Sequence, residues 1–332
     1  MRHSKWLALT LVVLGAAVVF GAGPAQGSHE PDEIHGVIAA TLVITEDSEL
    51  TGDVQCQTVT TPCISFGRAG IELDLNGFTM TGPGNEPVGT NCAADFAPAD
   101  GIQSTFDRVT IEGPGVVQRM RRHGIALVGT ATDPVENAVV ETVTSHQNCF
   151  SGIWLVFVNR SLADGVVSAR NSAASLARPC GGICVTNSNR NRVRRSEFFG
   201  NGSTALGPPP AAIPNDFGVG LVGASSGNVV EENGIGGNIN GVALFPLGGT
   251  PPPTGNLIRK NVIVGNPPTA VAATGVLGRD IHDFSPAGSN TFRKNLCMTY
   301  TGATTPPPCP NVPGFSGHRN HRGDNGDHHE DD

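Results

Sequence analysis

Asn228-Val-Val-Glu-Glu-Asn233-Gly-Ile-Gly-Gly-Asn238 is one copy of a unit that recurs along the chain. It aligns without gaps to Asn256-Leu-Ile-Arg-Lys-Asn261-Val-Ile-Val-Gly-Asn266 and to Asn191-Arg-Val-Arg-Arg-Ser196-Glu-Phe-Phe-Gly-Asn201. Asn290-Thr-Phe-Arg-Lys-Asn295 repeats its first half. Asn159-Arg-Ser161-Leu-Ala-Asp164-Gly-Val166 and Asn137-Ala-Val139-Val-Glu-Thr142 are weaker copies. A Gly-(Ile/Val)-x-(Leu/Val) segment follows at Gly124, Gly152, Gly182, Gly218 and Gly241. The first Asn of each unit stands at 137, 159, 191, 228, 256 and 290, at intervals of 22, 32, 37, 28 and 34. A fixed unit with variable loops produces such spacing. The Pro-rich stretches Pro208-Pro-Pro210 and Pro267-Pro268 fall in the long intervals and read as inserts on one edge of a stack.

Alternating apolar residues in short runs, punctuated by Gly and Asn, predict strands joined by tight turns. An Asn at one place in successive coils stacks on its copies at the strand spacing, ~4.8 Å, and bonds them. Asn also tolerates the left-handed backbone that such turns need. A lone coil buries no core, so several must stack. Composition agrees. The 332 residues include 44 Gly, 25 Pro and 24 Asn, but only three Lys, and 15% are charged. A helical bundle is excluded for want of helix-forming runs. Collagen is excluded because Gly has no three-residue period. A 38% apolar content, rich in Val and Ile, is enough for a buried core.

On these residues the chain resembles secreted right-handed parallel β-helix proteins, the pectin-lyase-like fold. Ile71-Glu-Leu-Asp74-Leu-Asn-Gly77-Phe-Thr-Met80-Thr-Gly82 is similar to their opening coil, and Val109-Thr-Ile111-Glu-Gly-Pro-Gly115 to the next. The resemblance covers about residues 40 to 310. The expected fold is all-β: a single-stranded right-handed parallel β-helix of about eight coils. The expected organisation is a signal peptide over 1–27, an N-terminal cap region over 28–56, the β-helix over 57–310 and a disordered tail over 311–332.

Arg2 and Lys5, the apolar run Trp6 to Gly21 and the small residues before Ser28 read as a cleaved secretory signal, which places the protein outside the cell or in the periplasm. Its removal takes the net charge from −8 to −10, which argues against nucleic acid. No later apolar run predicts a membrane segment. Eight Cys in an exported chain favour disulfides. Spacing favours Cys56–Cys63, Cys180–Cys184 and Cys297–Cys309, leaving Cys92–Cys149 by elimination. The tail carries His318, His321, His328 and His329 among carboxylates, a candidate site for a divalent metal such as copper. The competing reading is a solvated polar tail, and no cofactor is required.

The resemblance implies enzymes of acidic polysaccharides, with their motifs in a groove along one sheet. The hydrolases' Asn-Thr-Asp and Arg-Ile-Lys, the lyases' Arg-x-Pro-x-x-Arg and the epimerases' Asp-Pro-His-Asp are all absent, and the one Asp-Asp lies in the tail. With Ile125, Ile153, Ile183, Val219 and Val242 inward, the outward set is Ala126, Val128, Trp154, Val156, Cys184, Thr186, Gly220, Val222, Ala243 and Phe245. It holds no acid, base or Arg. Such a face is covered by loops or by another copy of the chain, or else Trp154 and Phe245 stack on sugars.

Two polar clusters remain. Arg279-Asp280-Ile-His282-Asp283 is the densest acid–base group, and alternation puts Asp280 and His282 on one face; the bland reading is a polar terminal coil. Arg121, Arg122 and His123 precede a strand and offer forks for uronate carboxylates, or merely a solvated basic edge. The charges Arg194, Arg195, Glu231, Glu232, Arg259, Lys260, Arg293 and Lys294 recur at one repeat position and predict a ladder of ion pairs. The sequence thus reads as an exported, non-catalytic structural or glycan-binding protein. Its polysaccharide partner, and a partnership with its own copies, are expectations. The alternatives are a divergent polysaccharide lyase, hydrolase or epimerase, and a periplasmic copper accessory protein.

Overall fold

Val229–Glu231 and Gly234–Gly236 form two three-residue strands, each with its middle residue, Val230 or Ile235, pointing inward and buried. A sharp corner precedes each Asn of the unit. Gly227, Glu232 and Gly237 all have positive φ (65°, 58° and 68°), so the chain turns just before Asn228, Asn233 and Asn238. At Gly237 that conformation carries no steric penalty, whereas at Glu232 the packed stack must hold it. The third side is Asn240–Phe245. One coil therefore has three sides and three asparagine corners.

The computed structural model describes residues 30–86, 90–93, 97–171, 181–202, 217–267 and 278–309. All regular elements among them are strands. The strands pair in parallel from coil to coil and form the stack of a right-handed β-helix. Sides one and two belong to a sixteen-stranded sheet, and side three is a ten-stranded sheet running from Leu42–Ile44 to Tyr300–Thr301. Among the described residues this side has ten strands, set against an expectation of about eight coils. Stacking starts within the stretch expected to cap the fold, since Asp32–Ile38 already pairs with Ser48–Cys56 and Leu42–Ile44 with Ile64–Phe66. These first coils lack the repeating Asn, which concealed them. The signal stretch, Cys180, Pro208–Pro210 and the four tail histidines lie outside the described residues.

The asparagine corners form three hydrogen-bonded ladders. In the first, the Asn191, Asn228 and Asn256 main-chain amides each donate to the next coil's carboxamide, at 2.9, 2.9 and 3.1 Å, ending at Asn290. The second runs Ser196, Asn233, Asn261 and Asn295. The third runs Asn148, Asn171, Asn201, Asn238 and Asn266, and ends on the Asp280 carboxylate. The two weak copies are out of register: Ser161 and Ala138 occupy the first-ladder position instead of Asn159 and Asn137. Asn159 instead accepts from the Asn189 amide, and Asn137 is itself a positive-φ corner.

Inside, Ile64, Ile102, Ile125, Ile153, Ile183, Val219, Val242 and Ile281 stack in one fully buried column. Outside, the middle corner row carries the expected charge ladder. Asp164 binds Arg194 and Arg195, Glu231 lies between Arg192 and Arg259, and Glu232 meets Lys260 at 2.9 Å. In register, one position of side one is charged in every coil: Glu33, Glu49, Asp74, Glu112, Glu141, Asp164, Arg194, Glu231, Arg259, Arg293. This column is acidic over its first six members and mostly basic thereafter. Disulfides join Cys56 to Cys63, Cys92 to Cys149 and Cys297 to Cys309; Cys184 is also disulfide-bonded. Such bonds form and persist in oxidising compartments.

Candidate functional site

Side three carries both sequence-predicted clusters, one just before its fourth strand, Ile125–Val128, and one at its ninth, Ile281–Asp283. Its inward and outward sets fall as alternation requires. Over the middle strands much of the outward side is covered: Ala126, Cys184, Thr186, Val222 and Ala243 are buried and Gly220 lies under the Phe217 ring, while Val128, Trp154, Val156 and Phe245 are half-buried. Trp154 packs against this apolar group. Phe245 lies 6.5 Å from Phe217 and meets Phe284 edge-on at 5.1 Å. Trp154 and Phe245 are thus part of an apolar patch over the middle strands, each only partly exposed.

Beside the fourth and fifth strands, Arg122, His123 and Trp154 come together with a residue that the sequence reading missed, Asp100. The His123 ring stacks on the Trp154 indole at 4.6 Å, and the Arg122 guanidinium lies 4.7 Å from the indole centroid. Arg122 and His123 are both buried. The Asp100 carboxylate accepts the His123 amide hydrogen at 3.1 Å and lies 3.5 Å from Arg122. The His123 Nδ1 accepts the Ser151 amide at 3.1 Å, so that nitrogen carries no proton. Asp100 has one oxygen without a hydrogen bond, as does the Ser151 hydroxyl. Burial pushes the Asp100 carboxyl up to about 6, with Arg122 and the His123 amide opposing. Arg121 has a different task. Its guanidinium donates to the carbonyls of Asn91, Val59 and Cys92 at 2.7, 2.7 and 3.4 Å, and so pins the segment beside the Cys92–Cys149 bond.

Folding therefore tightens the proton on Asp100. The associated stability is complete below about pH 4 and is lost as pH rises through about 6, because the unfolded carboxyl titrates near 3.8. Asp100→Asn removes this dependence. Between pH 4 and 7 the wild-type unfolding free energy should fall relative to the variant's by up to about 3 kcal/mol. Urea melts at several pH values check this, and parallel pH profiles would refute it.

At the C-terminal end the cluster separates. Asp280 aligns with the Gly of the Gly-(Ile/Val) motif, in register with Gly241. Its carboxylate accepts the Asn266 amide and carboxamide, both at 3.1 Å, and the Met298 and Thr299 amides at 2.8 and 3.1 Å. It is fully engaged as the end of a ladder, and no bond joins it to His282. Asp283 stands in register with Leu244, in a column of core residues, and burial raises its carboxyl. His282 stacks on Phe284 at 4.0 Å, with Nδ1 buried and unbonded. Burial, with Arg279 nearby, pulls His282 down to about 4 and keeps it neutral at ordinary pH. Arg279 donates to the Thr301 hydroxyl and to the Gly278 carbonyl. The cluster is a polar terminus of the core. Among the described residues, no group of three His, Cys, Asp or Glu is placed to hold a metal.

A parallel solenoid with three asparagine corners per coil defines a class, and sequence comparison agrees. A family model described as "Right handed beta helix region" matches residues 98–279. The chain belongs to that family. Comparison with curated proteins gives no match. Among solved structures, the Dettilon tailspike protein matches over 79% of this chain and 55% of its own, with a TM-score of 0.53 and 13% identity. Tailspike protein 2 of Escherichia coli O157:H7 bacteriophage CAB120 matches over 80% of this chain and 37% of its own, at 0.45 and 10%. The A-module of the Azotobacter vinelandii mannuronan C-5 epimerase AlgE4 matches over 82% and 86%, at 0.46 and 14%. At these identities the likeness is one of fold. The chain spans little more than half of the first tailspike and about a third of the second.

Proposed function

We propose that this is an exported, non-catalytic β-helix that works as a structural or glycan-binding scaffold. The observation that carries the reading is the apolar outer side of the middle strands of the ten-stranded sheet, where Ala126, Cys184, Val222 and Ala243 are all buried. A hydrolytic or lyase groove needs a reachable acid or base. Here Asp280 terminates a ladder, Arg121 holds backbone carbonyls and His282 is held neutral against Phe284. Three disulfides among the described residues support export. Incubation with a panel of uronate polymers should release neither unsaturated products nor reducing ends, while a glycan array should retain the chain. Turnover of any polymer in the panel would overturn the non-catalytic reading.

One observation favours a second reading, a divergent enzyme of such polymers. The Asp100 carboxyl, raised to about 6, sits beside Arg122 and His123 under the partly exposed Trp154. On that reading, activity would be lost in Asp100→Asn and kept in His282→Ala.

A further inference from the structure

The two ends of the stack complement each other. The first coil presents Asp32–Ile38 and Leu42–Ile44, and the last presents Thr291–Arg293, Leu296–Cys297 and Tyr300–Thr301. Each set occupies all three sides of the solenoid. Among the described residues, every one of these strands pairs on one edge only. An unpaired edge is a template for another strand, and solenoids ordinarily cover theirs. Here apolar side chains stand at both ends: Val37 and Val43 are 62% and 56% exposed, Leu296 54% and Met298 61%.

Charge and shape give the direction. The charged column of side one begins at Glu33 and ends at Arg293, both exposed. Within the chain, Arg293 stacks on Arg259 and Glu33 on Glu49, each a like-charge pair that costs energy. Set end to end in register, Arg293 of one copy would stack on Glu33 of the next. The first coil carries an open depression of about 440 Å³ lined by Ile34, Ile38, Leu42 and Ile44 together with Asp32, Glu33 and His35. The last coil carries Phe292 and Tyr300, edge to face at 6.2 Å and only partly buried.

We propose that copies of this chain associate head to tail, the C-terminal coil of one on the N-terminal coil of the next. The three sides then continue across the junction in parallel register. Such an interface is heterologous and does not close, so it propagates into a filament.

Sedimentation velocity and electron microscopy of the exported chain test this. Species should lengthen with concentration and shorten with added salt. Glu33→Arg alone and Arg293→Glu alone should each weaken association by about tenfold or more, since each sets like charges at the junction. Mixing the two variants restores opposite charges at both kinds of junction, and elongation should return. Circular dichroism should show both variants folded, as both sites are exposed. A monomer at every concentration would overturn the proposal. So would association that ignores both substitutions, or a mixture no longer than its separate components.

Discussion

Asn238→Ala should lower the melting temperature by about 10 °C or more, corresponding to about 3–5 kcal/mol. Asn238 is fully buried in the third ladder. Its carboxamide oxygen accepts the Asn201 amide and side chain, at 3.0 and 2.9 Å. Its nitrogen donates to the Phe198 carbonyl at 3.0 Å and to Asn266 at 3.2 Å. Alanine removes all of these and leaves donors and an acceptor in a dry corner, each at a cost of about 1–3 kcal/mol. The ladder neighbours Asn201 and Asn266 are buried as well, at 1% and 4% exposure. Thr291→Ala, on an exposed position, should stay within about 0.5 kcal/mol of wild type. Thermal melts followed by circular dichroism decide the matter. If Asn238→Ala melts with the control, the ladders contribute little.

Gly218→Ala should cost about 2–4 kcal/mol, although it adds a single carbon. That carbon would lie 2.6 Å from Ile235 Cγ2, 2.8 Å from the Asn238 carboxamide nitrogen and 2.9 Å from the Gly241 carbonyl. The Gly of the Gly-(Ile/Val) motif is thus set by proximity to the third ladder. Gly124, Gly152, Gly182, Gly218 and Gly241 stack in register for this reason, each beside a ladder asparagine. Asp280 stands next in the row because the ladder ends there. Gly248→Ala is the matched control. Nothing lies within 4 Å of a carbon added there, and its effect should be near zero. Chemical denaturation of the two variants separates crowding from the general loss of glycine, and equal midpoints would sink this account.

The ladders were legible wherever Asn recurs at five-residue spacing, from Asn191 to Asn295. They were misread where Ser161 and Ala138 hold the corner, because a nearby Asn in each case offered a false register. The alternation that places Ile153 in and Trp154 out held throughout side three. The candidate sites were less legible, because what decides them is reach across coils. Asp100 is absent from the clusters read in the sequence, yet Asp100-Gly101-Ile102 is itself a copy of the glycine motif and aligns with His123-Gly124-Ile125. Reading that copy would have put the two side by side. The segment held by Arg121 gave no periodic signal, since its partners are carbonyls rather than side chains.

The ladders also have a sense of travel. The main-chain amides of Asn228 and Asn256, and one side-chain hydrogen of each, all point to the carboxamide of the coil that follows. A coil therefore receives its acceptors from residues synthesised after it. Wherever a growing chain pauses, its newest coil presents donors that only the next stretch of polypeptide can fill. Completion moves from the N-terminus outward, and in the third ladder a carboxylate, Asp280, brings it to a stop.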